Sequence, residues 1–130
     1  MEEILNRDEF YSCLAHLYYA ITVVDKRIEV EEKKKIKDLV EKYWSIDFDH
    51  LNGQDIIFST LKRLFKEKPK SEEAYSVFCD FFHKNLTLFS DKLKRNILDT
   101  SDKIAQSFAG RNKSESVIIS RLYFLFDENG

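Results

Sequence analysis

A chain of 130 residues that is 43% hydrophobic, 34% charged and 14% aromatic is sized for one domain with a real core. Three Gly and one Pro are too few turn-formers for an all-β domain of this length, so helices joined by short polar loops are predicted. A net charge of −2 argues against a global field that draws the chain onto nucleic acid or anionic lipid, and no stretch approaches the length of a membrane span.

The N-terminus, MEEILNRDEF, is acidic and lacks an apolar signal core. Two cysteines suit buried thiols in a reducing cytosol better than a disulfide framework, so a cytoplasmic location is predicted. From Phe10 the apolar positions run Phe10, Leu14, Leu17, Ile21 and Val24, one helical stripe of about four turns. Asp25 to Glu29 breaks it. A second helix is predicted from Val30 to Tyr43 or Trp44, and its Lys33–Lys35 run reads as a solvated helix face.

A turn over residues 47–53 precedes a third stripe of Ile57, Leu61, Leu64 and Phe65. Lys68-Pro69 should stop that helix, and Ser71, ahead of Glu72 and Glu73, is the expected N-cap of the next. The fourth helix carries Ala74, Phe78, Phe81, Phe82 and Asn85. Ser90 is a cap candidate for the longest pattern, Leu93, Ile97, Ser101, Ile104 and Phe108. Ser114 is expected to open a last helix through Phe126. The prediction is an all-α, single-domain chain over residues 1–130 with about six helices. Its expected core is Leu14, Leu17, Ile21, Ile36, Leu39, Leu61, Phe78, Phe81, Ile97, Ile104, Ile119 and Leu122.

An internal match organises this pattern. Glu32, Ile36, Leu39, Val40 and Tyr43 correspond to Glu115, Ile119, Leu122, Tyr123 and Phe126 at one constant offset. Each copy has a long helix, a polar break, a carboxylate in the next first turn, and then apolar residues on the carboxylate's own face. Two related helix–loop–helix units, over residues 10–44 and 93–126, predict a pseudo-two-fold bundle.

Val24-Asp25-Lys26-Arg27-Ile28-Glu29-Val30-Glu31-Glu32, directly after an apolar helix, resembles the signature of the tellurite-resistance TerB family. That signature reads roughly Ala-Asp-Gly-x-hydrophobic-x-x-Glu-Glu. Asp25, Ile28, Glu31 and Glu32 match it. Lys26 stands where the motif has Gly, Val24 where Ala is usual, and in the second copy Ala109-Gly110 keeps the Gly without the acid.

The resemblance implies an all-helical domain whose motif acids bind a metal cation, and carboxylate oxygens suit a hard divalent one such as Ca²⁺ or Mg²⁺. It makes Asp25, Glu29, Glu32 and Glu115 the candidate metal ligands. A hard cation wants several oxygens, and convergent carboxylates offset the cost of placing such groups away from bulk water. A plainer reading gives Asp25 to the turn after the first helix and Glu29 or Glu32 to the next helix start. An EF-hand is excluded, because the loop lacks the alternating acids and the glycine.

Cys13-x-x-His16 and Cys79-x-x-x-His83 place each Cys and His together on a helix. Two such pairs suggest a Cys₂His₂ zinc site, but structural zinc favours tight loops with close cysteines, so buried thiols with flanking histidines are expected. His50 beside Asp47 and Asp49 has no activated nucleophile to serve. No Gly-rich phosphate loop, HExxH or CxxC appears. A metal-assisted hydrolytic centre at Asp25 and Glu32 lacks a second catalytic group, so no enzyme is predicted. Tyr18 and Tyr19 are adjacent and cannot share one face, so one is expected at the surface as part of a partner contact.

Two functional readings stand side by side. The resemblance implies a cytoplasmic TerB-like binding or adaptor domain, divalent-cation-dependent, with another protein as partner, in tellurite resistance or a general stress response. The alternative is a purely structural protein-interaction domain with no metal, its acids only shaping the helical turn.

Overall fold

The computed structural model describes residues 2–23, 38, 53–107 and 114–128. Among them are five α-helices and no strand: α1 (Glu2–Val23), α2 (Gly53–Glu67), α3 (Ser71–Lys84), α4 (Asp91–Ser107) and α5 (Ser114–Glu128), with a 3₁₀ turn at Leu86–Leu88. Of the helix expected over residues 30–44, only Asp38 is described, helical and exposed. Ile36 and Leu39 lie outside the described residues, as does the side chain of Ile104.

The predicted stripe of α1 is buried, and so is much of what lies between its members. Tyr11, Ala15, Tyr18, Tyr19, Ala20 and Thr22 are enclosed along with Phe10, Leu14, Leu17 and Ile21. A helix that is apolar all round has to be covered on every side. Here α1 packs against α2, α3, α4 and α5. This corrects the expectation for the tyrosine pair. Both are buried, because the central helix has no outer face at that level.

The α2–α3 connection is tied to this centre. Ile57, Leu61 and Leu64 bury one side of α2, and Phe65 meets Tyr19 edge-on at 5.3 Å. The helix ends where Lys68 takes φ 54° and its N–H donates to the Leu64 carbonyl at 2.7 Å, the left-handed C-terminal cap usually given to glycine. Pro69 then cannot continue the helix.

Ser71 does not cap α3. Lys70 occupies the cap position with no side-chain bond, and Ser71 is the first helical residue. Its hydroxyl donates instead to the Ala20 carbonyl of α1 at 2.9 Å, while the Tyr19 hydroxyl donates to the Pro69 carbonyl at 2.8 Å. Two long-range bonds thus fasten the loop to the central helix.

Phe78, Phe81 and Phe82 of α3 meet Phe10, Phe89 and Phe126 in an aromatic cluster. Phe82 and Phe89 stand edge-to-face at 4.9 Å, and Phe78 and Phe126 at 6.1 Å, geometries the ring quadrupoles favour. Ser90 caps α4 as expected, its Oγ accepting the Leu93 N–H at 3.1 Å. Leu93, Ile97, Thr100 and Ser101 face inward. Thr100 returns its hydroxyl to the Asn96 carbonyl at 2.8 Å, whereas Ser101 Oγ finds no partner among the described residues.

In α5 the buried line runs through Ile118, Leu122 and Phe126. Ile119, expected in the core, is half-buried. The helix is rotated slightly from the predicted stripe, and Tyr123 turns outward.

Candidate functional site

The outer stripe of α4 carries Asp91, Lys94, Arg95, Leu98, Asp99 and Asp102, spaced three or four apart so that they share one face. Next to it α5 presents Tyr123, Phe124 and Asp127. Between the two helices lies an open groove of about 700 Å³. Buried Phe126 and half-buried Leu98 form its apolar base. Tyr123 and Phe124 stand over it, 46% and 67% exposed.

The Tyr123 hydroxyl donates to Asp102 Oδ2 at 2.8 Å, bridging α5 to α4. That bond holds the phenol proton and, ahead of a smaller effect of burial, raises the Tyr123 pKa. The ring is therefore a neutral, fixed wall. Lys94 Nζ lies 5.9 Å from the centroid of the Phe82 ring, leaning its charge on the aromatic cluster. Asp91, Asp99 and Asp127 line the groove without an ion pair among the described residues. Among the groove's lining residues three carboxylates (Asp91, Asp99, Asp127) stand against two cations (Lys94, Arg95), an excess of one negative charge.

The cysteines and histidines do not converge. Cys13 is buried, its thiol donating to the Phe10 carbonyl at 3.0 Å. Burial, then Glu9, pushes its pKa well up, which leaves it a protonated and unreactive thiol. Cys79 is half-buried beside the Tyr75 hydroxyl, and burial raises its pKa too. Arg121 covers the Tyr75 ring at 4.7 Å and donates to Glu72 at 2.7 Å. His16 is half-buried, its Nδ1 donating to the Ser12 carbonyl at 2.8 Å, while His83 is exposed. Among the described residues no group of three or more His, Cys, Asp or Glu is placed to hold a metal ion.

Of the predicted metal ligands, Asp25, Glu29 and Glu32 lie outside the described residues, as do Asp47, Asp49 and His50. Glu115 falls in the first turn of α5, as expected, and its side chain is outside the description. The α4–α5 groove was not anticipated. Its signal was present in Leu122-Tyr123-Phe124-Leu125-Phe126, five consecutive apolar residues that a helix with neighbours on one side cannot bury together.

No family model, curated protein or solved structure matches the chain.

Proposed function

We propose that this protein is a helical binding domain that docks another protein in the α4–α5 groove. Phe124 carries the proposal. It is the most exposed of the large hydrophobic side chains described, and it stands beside a tyrosine held upright by Asp102. Fully burying a phenylalanine is worth about 1.5–3 kcal/mol. An aromatic pair over an apolar base, ringed by charge, has the anatomy of a protein contact. The groove offers no nucleophile paired with a base, so its chemistry is recognition.

The wider reading is a cytoplasmic TerB-like adaptor of about six helices in two related units, acting in tellurite resistance or a general stress response. In it, Asp25, Glu29, Glu32 and Glu115 hold Ca²⁺ or Mg²⁺. Its support is the likeness of residues 24–32 to the motif, the all-helical architecture and the position of Glu115.

Affinity capture from the native host's extract, run with wild type and Phe124→Ser in parallel, tests the docking. A protein retained by wild type and lost with the variant is expected; equal recovery on both refutes the groove as the working surface. Thermal melts with Ca²⁺, Mg²⁺ or chelator test the cation, since a ligand confined to the native state raises Tm. Asp25→Asn and Glu32→Gln should each abolish that rise. Identical melts of the unmodified protein in every condition would assign the acids to the fold.

A further inference from the structure

We infer that the occupant of the α4–α5 groove is an amphipathic helix whose apolar stripe is flanked by lysine or arginine. This rests on the docking reading above and adds the partner's chemistry. The carboxylates are spread along the site: on α4, Asp91 marks one end and Asp99 the other, and Asp127 stands on α5. Asp127 also lies in the last turn of α5, where unsatisfied carbonyls add negative potential and no basic residue offsets it. Of the two cations, Lys94 is drawn towards the Phe82 ring. Arg95 alone does not balance the acids.

The shape selects a helix. The α4 wall of the groove, from Asp91 to Asp99, runs about 12 Å at the rise of an α-helix, enough for about two turns of a partner. An apolar base with exposed aromatics on one wall accepts anchors at i, i+3 or i+4 and i+7, the mode in which a helix lies in a groove. Basic residues beside those anchors meet the aspartates.

The same charges disfavour other occupants. Nucleic-acid phosphates and anionic headgroups are repelled by the acid excess. A second copy of this chain, placed by a two-fold over this face, opposes like acids across the contact.

The test is a selection from a random peptide display library on the full chain, with counter-selection on Phe124→Ser. Phe124 is exposed, so that variant should melt with wild type. Enriched peptides are expected to show helical apolar spacing and an excess of Lys and Arg over Asp and Glu. The best of them, as a synthetic peptide, should bind several-fold more weakly as salt rises from about 50 to about 300 mM, and several-fold more weakly to the Asp99→Asn/Asp127→Asn double variant. Enrichment of acidic, neutral or non-helical peptides overturns the inference, as does binding indifferent to salt and to the double variant. Self-association that is lost on Phe124→Ser also overturns it, by seating a second copy on the face. If acidic peptides win while capture still yields a Phe124-dependent protein, only the partner's chemistry is wrong. If neither peptide nor protein depends on Phe124, the docking reading falls with it.

Discussion

Replacing Ser101 by alanine should make the protein more stable, although the residue is fully buried. Its hydroxyl is 0% exposed and has no hydrogen-bond partner among the described residues. A buried unsatisfied polar group costs about 1–3 kcal/mol. Serine is also a poorer helix former than alanine by up to roughly 0.7 kcal/mol. Against this, a hydroxyl-sized void of about 10 Å³, at about 24 cal/mol per Å³, costs about 0.2 kcal/mol. The net expectation is a gain of about 1–3.5 kcal/mol, and at about 4 °C per kcal/mol for a chain of this size Tm should rise by about 4–14 °C. Urea denaturation should show a higher midpoint with an unchanged slope. The control is Thr100→Val, one residue away, where the hydroxyl does have a partner at 2.8 Å. It should lose about 0.5–1.5 kcal/mol, the opposite sign. A lowered midpoint for Ser101→Ala would mean that the serine hydroxyl is hydrogen-bonded in solution and that the reasoning about this site fails.

Leu17→Ala, at a fully enclosed position on the central helix, should cost about 2–5 kcal/mol in chemical denaturation; an unchanged midpoint would contradict the packing of α1. Lys68→Gly should stabilise by roughly 0.5–1 kcal/mol, because a left-handed residue with a Cβ is strained by about 1–2 kcal/mol and glycine gives back part of that relief as unfolded-state entropy. A melt in which the glycine variant unfolds earlier would count against the cap. The His16 pKa is lowered from its ordinary 6.5 chiefly by burial; the bond to Ser12 raises it, Arg63 lowers it and Glu67 raises it. The unfolded chain therefore takes up the proton first. The neutral fold keeps its full stability above pH 6.5 and loses it as pH falls from there through the lower folded value. Melts of wild type and His16→Gln between about pH 7 and pH 5 should diverge in that direction, and parallel curves would remove His16 from the account.

What could be read from the residues alone was mostly local. The stripes of α3 and α4 placed Phe78, Phe81 and Ile97 correctly, and Ser90 and Lys68-Pro69 marked real helix ends, because caps and breakers act on their own neighbours. Ser71 shows where that logic stops. A hydroxyl at a helix start suits a cap, but its true acceptor lies 51 residues away on α1. Tyr18 and Tyr19 depart from the sequence expectation for a related reason. Periodicity identifies a side that must be buried, not how many sides the neighbours cover. In α5 a run of five apolar residues made several registers equivalent, so the repeat match favoured Ile119 where the fold uses Ile118. The groove follows from the same excess and needed the position of α4 to become visible. Asp25, Glu29 and Glu32 lie outside the described residues.

The central place of α1 has a consequence for synthesis. α1 leaves the ribosome before the helices that cover it, and Leu122 and Phe126 of α5 emerge roughly a hundred residues after Leu14 and Leu17. At about 5–20 residues per second, α1 spends about 5–20 s without its full cover. During that interval Tyr18, Leu14 and Ile21 are open to wrong partners, and no local pairing can close them off. Deletion of α5 would prolong the state indefinitely. The nascent chain should therefore depend on holdase chaperones far more than the finished protein does.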